Sequence, residues 1–146
     1  MRAFTFPLAR VLAWRRTTLE QEESRLRQIA AGIQQLELAR RRLDLSRGRA
    51  EQAVRHAPVM EAADLWALSA YRARLLAEAR TLAERKRAAE QQWETQRQKV
   101  TEAQRQCRLL EKLEQRRRAE WRAAADREAE NLAAESFLAA WNRSHP

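Results

Sequence analysis

Turn-forming residues are nearly missing from this sequence, which has two glycines and three prolines among 146 residues. A domain that reverses direction many times is thereby excluded, because Gly and Pro are the main punctuation of such folds. Runs of Val, Ile and Thr are equally scarce, so no sheet competes. The single cysteine, Cys107, rules out an intrachain disulfide and agrees with a reducing, cytoplasmic setting. The two histidines, His56 and His145, stand far apart, and Cys107 has no CxxC companion or His at ligand spacing. No metal, cofactor or catalytic site is expected, and the chain is read as non-enzymatic. Long apolar runs are also absent: nothing approaches the roughly 20 residues that cross a bilayer. The opening MRAFTFPLARVLAWRR is interrupted by Arg10 before a signal-peptide core could form.

What the chain does contain is Ala, Arg, Leu, Glu and Gln, the residues that lose least on entering a helix. Pro7 fits only a helix's first turn, so Thr5 or Phe6 is the expected cap of a first helix. Leu8, Leu12, Leu19, Leu26, Ile29, Ile33, Leu36, Leu43, Ala50 and Val54 then recur at spacings of three and four, with lapses at Arg15, Glu22, Arg40 and Arg47. Pro58, in RHAPVMEAAD, is the strong interior breaker and places the turn. Glu61 or Asp64 can start a second helix. Its seam runs through Leu65, Leu68, Leu75, Ala79, Leu82, Ala89, Trp93, Val100, Ala103, Cys107 and Leu110. No breaker follows before Pro146. The expected fold is all-α: one elongated domain over 1–146, a long antiparallel two-helix coiled-coil hairpin with helix 1 about 7–55, a turn about 56–60 and helix 2 about 61–142.

Reflection about the turn sets residue 8 opposite roughly residue 108, to within a turn or two. The paired part would then span roughly 70 Å and the C-terminal part of helix 2 would overhang by about 45 Å. At the root of that overhang lies LLEKLEQRRRAEW, residues 109–121. Arg116, Arg117 and Arg118 sit about 100° apart in turn, so they wrap the helix instead of forming a stripe. Glu111, Glu114 and Glu120 interleave with them, and Glu114 with Arg118 is a favourable i, i+4 pair. Such a segment lacks the forked dimer and base-reading side chains of a DNA-binding basic region. With helix 1 ended, Trp121 has no expected surface inside the hairpin. Leu110, Leu113, Trp121, Ala125 and Leu132 form a broken apolar stripe, with Phe137, Leu138 and Trp141 near the end. Arg and aromatic anchors are typical of protein interfaces, so Leu110, Leu113, Arg116, Arg117, Arg118, Trp121 and Arg122 are the expected partner-binding residues. Folding back or self-association is the plainer alternative. Phe4 and Phe6 are expected to staple the open end of the hairpin, Trp14 and Trp66 to lie on the surface, and Cys107 to act as a small apolar seam residue.

The charge balance, 29 basic against 20 acidic residues for a net +9, would suit an acidic protein, a nucleic acid or an anionic membrane. The sign alone does not choose among them.

Phe4, Phe6, Leu8, Val11, Leu12, Arg15 and Arg16, the Tyr71 to Leu75 segment, and Leu110, Glu111, Lys112, Leu113, Arg116, Arg117, Glu120 and Trp121 together resemble the FliJ family of flagellar export proteins. The resemblance covers almost the whole chain. It implies an antiparallel coiled coil similar to a rotary-ATPase stalk, without ATP hydrolysis of its own. The implied partners are the hexameric export ATPase, the cytoplasmic part of the export-gate membrane protein and export chaperones, with peripheral membrane association through them and no specific nucleic acid. The equivalent stalk of a virulence type III secretion system is a related alternative. One departure stands out: where the family carries an acidic pair after the basic segment, this chain has Ala133 and Ala134, so the resemblance carries no contact for those positions.

Overall fold

The computed structural model describes residues 2–145 and contains two helices, α1 (Ala9–Arg55) and α2 (Ala62–Ser144). Pro146, the expected terminal breaker, lies outside the described residues. The described residues contain no strand, and the helices pack against each other as a hairpin. The chain divides into two compact units, residues 21–101 and residues 1–20 with 102–146.

The unit of residues 21–101 holds the turn. Residues 56–61 are non-helical, as Pro58 requires. The two sequence candidates for the start of α2 act together: Glu61 N–H donates to the Asp64 carboxylate (3.1 Å), while Asp64 N–H donates to the Glu61 carbonyl (3.1 Å). This is the side-chain half of a capping box, and the Asp64 charge also suits the positive end of the helix dipole. Along the two helices, Leu26, Ile29, Ile33, Leu36, Leu43, Ala50 and Val54 are half-buried, and Leu75, Ala79 and Val100 are buried. Leu68, Leu82, Ala89 and Trp93 complete the seam at half burial, whereas Leu65, beside the turn, is exposed. A two-helix seam covers each side chain from one direction only, which explains why most seam residues stop at half burial. Ion pairs flank it: Lys86 to Glu37 at 3.4 Å and Arg72 to Glu51 at 3.1 Å.

Inside this seam lies a polar layer. Gln96 is 6% exposed, and its amide donates to both the Glu22 carbonyl (3.0 Å) and the Glu22 carboxylate. Glu22 was a lapse in the first heptad pattern; the lapse is matched by a polar residue on the facing helix. A buried polar group with a partner at one level only favours a single register.

The other unit pairs the start of the chain with the C-terminal part of α2. Leu12 (3% exposed) and Cys107 (4%) are its most buried apolar side chains. Cys107 thus takes the seam place its spacing predicted. Helix α1 begins two residues later than expected: Pro7 and Leu8 form a turn, with Ala9 N–H donating to the Phe6 carbonyl (3.1 Å) and Leu12 N–H to the Leu8 carbonyl (2.9 Å). Of the two expected caps it is Phe6, through its carbonyl, that accepts the Ala9 N–H. Phe6 itself is buried, and Leu8, assigned to the seam from spacing, lies at the exposed margin.

Candidate protein-docking site

Residues 109–121 lie on α2 within the unit formed by the chain's two ends, and the sequence expectation for them needs correction. Leu110 and Leu113 are half-buried. Glu111 receives the Arg16 guanidinium at 3.3 Å. Trp121 is half-buried too: its indole N–H donates to the Arg2 carbonyl at 3.2 Å, and its ring lies 6.0 Å from that of Phe4 at a 54° tilt. Trp121 therefore has an intramolecular partner, contrary to the expectation.

The offset begins where both segments are helical, since Arg16 reaches Glu111, and a difference in rise at the start of the chain adds to the reach. Residues 2–6 are not helical, and non-helical chain can advance about 3.3 Å per residue against 1.5 Å in a helix. A one-for-one reflection about the turn underestimates how far such a segment reaches along α2. The expectation that Phe4 and Phe6 close this end was sound: Phe6 is buried and Phe4 meets Trp121.

The arginines divide by role. Arg118 donates to Glu114 at 3.4 Å, the pair foreseen from i, i+4 spacing, and its guanidinium lies 5.2 Å from the Phe4 ring centre. Arg117 pairs with Glu120 at 3.3 Å. Arg116, Arg117, Arg118 and Arg122 are all exposed; successive positions fan Arg116, Arg117 and Arg118 around α2, and Arg122, one turn on, shares the face of Arg118. Between residues 2–7 and α2 remains an open groove of about 660 Å³, lined by Phe4, Thr5, Pro7, Arg117, Glu120 and Trp121. The groove thus has aromatic walls and a cationic edge.

No family model, curated protein or solved structure matches this chain.

Of the seven expected binding residues, the structure gives Leu110 and Leu113 partly to packing and Trp121 to the N-terminal segment, and leaves the four arginines accessible. From Arg122 to His145 every side chain except that of Ala125 is exposed, including Leu132, Phe137, Leu138 and Trp141. Phe137 stacks on Trp141 (6.3 Å) and Trp141 on His145 (4.0 Å), a ladder at i, i+4 spacing. The expected surface residues Trp14 and Trp66 are 59% and 78% exposed. Among the described residues no cluster of His, Cys, Asp or Glu is arranged to hold a metal ion, and no helix is long and apolar enough to cross a membrane. The Arg2 carbonyl was invisible to sequence reasoning, since a backbone acceptor has no residue signature.

Proposed function

We propose that this protein is a non-enzymatic helical component of the bacterial flagellar type III export apparatus. It docks on the hexameric export ATPase as a stalk and couples it to the cytoplasmic part of the export gate and to export chaperones. Its place is the cytoplasm, at the inner face of the membrane through those partners. The observation that carries this reading is the two-helix hairpin whose second helix holds the FliJ-like LEKLEQRRRAEW segment with its arginines exposed. Exposed guanidinium groups steer and orient an acidic partner, and Trp121 with the apolar end of α2 supplies anchoring surface. The groove and seam of this small unit offer such a partner arginine and aromatic contacts, the residue types that dominate interface energetics.

The test is binding of the purified protein to the export ATPase and, separately, to duplex DNA at physiological salt. Specific ATPase binding is expected, weakened about tenfold or more by Arg116→Glu with Arg117→Glu and by Trp121→Ala, with helicity retained. Binding to DNA alone would overturn the reading and favour a basic nucleic-acid module.

A further inference from the structure

We propose that residues 2–5 form a displaceable strap, hinged at Phe6 and Pro7, which covers Trp121 and competes with the docking partner for this face. The competition rests on the docking role proposed above; the strap itself does not.

The hinge is built from local chemistry. Phe6 is buried and its carbonyl accepts the Ala9 N–H, so the chain is fixed from this residue onward. Pro7 locks its own φ and pushes Phe6 toward extended geometry, which aims residues 2–5 along α2 instead of continuing the helix. Beyond the hinge, Arg2, Ala3 and Thr5 are exposed and only Phe4 is half-buried. The strap's attachments are the Trp121 indole to the Arg2 carbonyl, the tilted Phe4–Trp121 ring pair and Arg118 over Phe4. The 660 Å³ groove beside them shows that the strap does not pack flush against α2.

Ordering four residues of chain opposes these attachments, each of which is modest at a solvent-facing site. The balance places the closed and open states close in free energy. In the closed state, the indole N–H and ring of Trp121 and the Arg118 guanidinium are already engaged by the chain itself. In the open state the same groups face solvent beside Arg117. They then suit an acidic protein surface that presents a carboxylate to the arginines and an apolar side chain to the indole. Because only the open fraction can bind, closure lowers the apparent affinity by that fraction.

The strap is tested without any partner by the solvent-exchange rate of the Trp121 indole proton, measured by NMR and assigned with Trp121→Phe. In the native chain this proton should exchange more slowly than those of Trp14 and Trp66, and Phe4→Ala should accelerate it about tenfold while the other indoles are unchanged. A Trp121 proton as fast as that of Trp66, or one released only on global unfolding, would overturn the strap. Phe4→Ala leaves both helices intact in sequence, and circular dichroism confirms that they form. With the export ATPase, Phe4→Ala should bind about threefold or more tighter than the native chain, and Phe4→Leu should fall between. Weaker binding would make Phe4 part of the docking surface and overturn the competition. If no variant bound the ATPase, the docking role and the competition would fall together, with indole exchange still deciding the strap.

Discussion

Gln96 and the two glycines show how single residues are accommodated in helices this long. Gly32 and Gly48 both lie within α1, have no positive φ, and a methyl group built on either meets nothing within 4 Å. Replacing each by alanine should therefore raise stability by about 0.5–1 kcal/mol, read from urea unfolding, because only the excess freedom of glycine in the unfolded chain is removed. Gln96 behaves in the opposite way. Gln96→Leu would deprive the half-buried Glu22 carboxylate of its cross-helix donor, although Arg25 still pairs with it at 3.0 Å. A loss of about 1–2 kcal/mol is expected, and the double change Glu22→Leu with Gln96→Leu should recover it. Failure of the second substitution to recover the loss would show that the layer acts through packing and not through its hydrogen bonds. The position was legible in principle: Gln96 follows Trp93 by three and precedes Val100 by four, the spacing of a seam residue. A count of apolar residues alone passes over it.

Near the turn, an acidic side chain ties the two helices together. Glu51, near the end of α1, accepts a hydrogen bond from Arg47 at 3.1 Å and is paired with Arg72 of α2 at 3.1 Å. The Arg47 hydrogen bond chiefly holds its carboxyl below the ordinary 4.5, with the Arg72 charge assisting against a partial desolvation that acts the other way. A depressed carboxylate binds its proton more weakly in the folded state. Its stabilising effect is therefore complete above the unfolded carboxylate's value and disappears as pH falls through the folded one. The difference in stability between the native chain and Glu51→Gln should accordingly be constant near neutral pH and shrink below about pH 4.5. Urea unfolding at a series of pH values checks this, and a difference that grows on acidification would contradict it. At this scale the sequence was informative. Pro58 marks the turn, and of the two candidate starts, Glu61 and Asp64, the structure uses both.

For the whole molecule the dominant fact is a net charge of +9. Self-repulsion among the exposed arginines disfavours the folded chain at low ionic strength, while the same charge attracts an acidic partner. Salt should thus have opposite effects on the two properties. From about 0.01 to 0.3 M salt the melting temperature should rise, and, under the proposed function, binding to the export ATPase should weaken. Arg116→Glu with Arg117→Glu should flatten both dependences. A melting temperature that fell with added salt would mean that the ion pairs between and along the helices, such as Lys86 with Glu37 and Arg97 with Glu94, outweigh the repulsion.

Sequence alone determined that the chain is helical, where it turns and which side of each helix is covered. These properties follow from residue propensity, one internal proline and a heptad period, all local along the chain. Tertiary structure decided what Trp121 touches and what lies opposite Glu22. Both depend on the axial match between distant segments, which no local pattern along the chain specifies; for Trp121 the extended residues 2–6 add to the reach. LLEKLEQRRRAEW suggested an open docking tip. The structure instead places Phe4 and the Arg2 carbonyl against its tryptophan and leaves its arginines facing solvent.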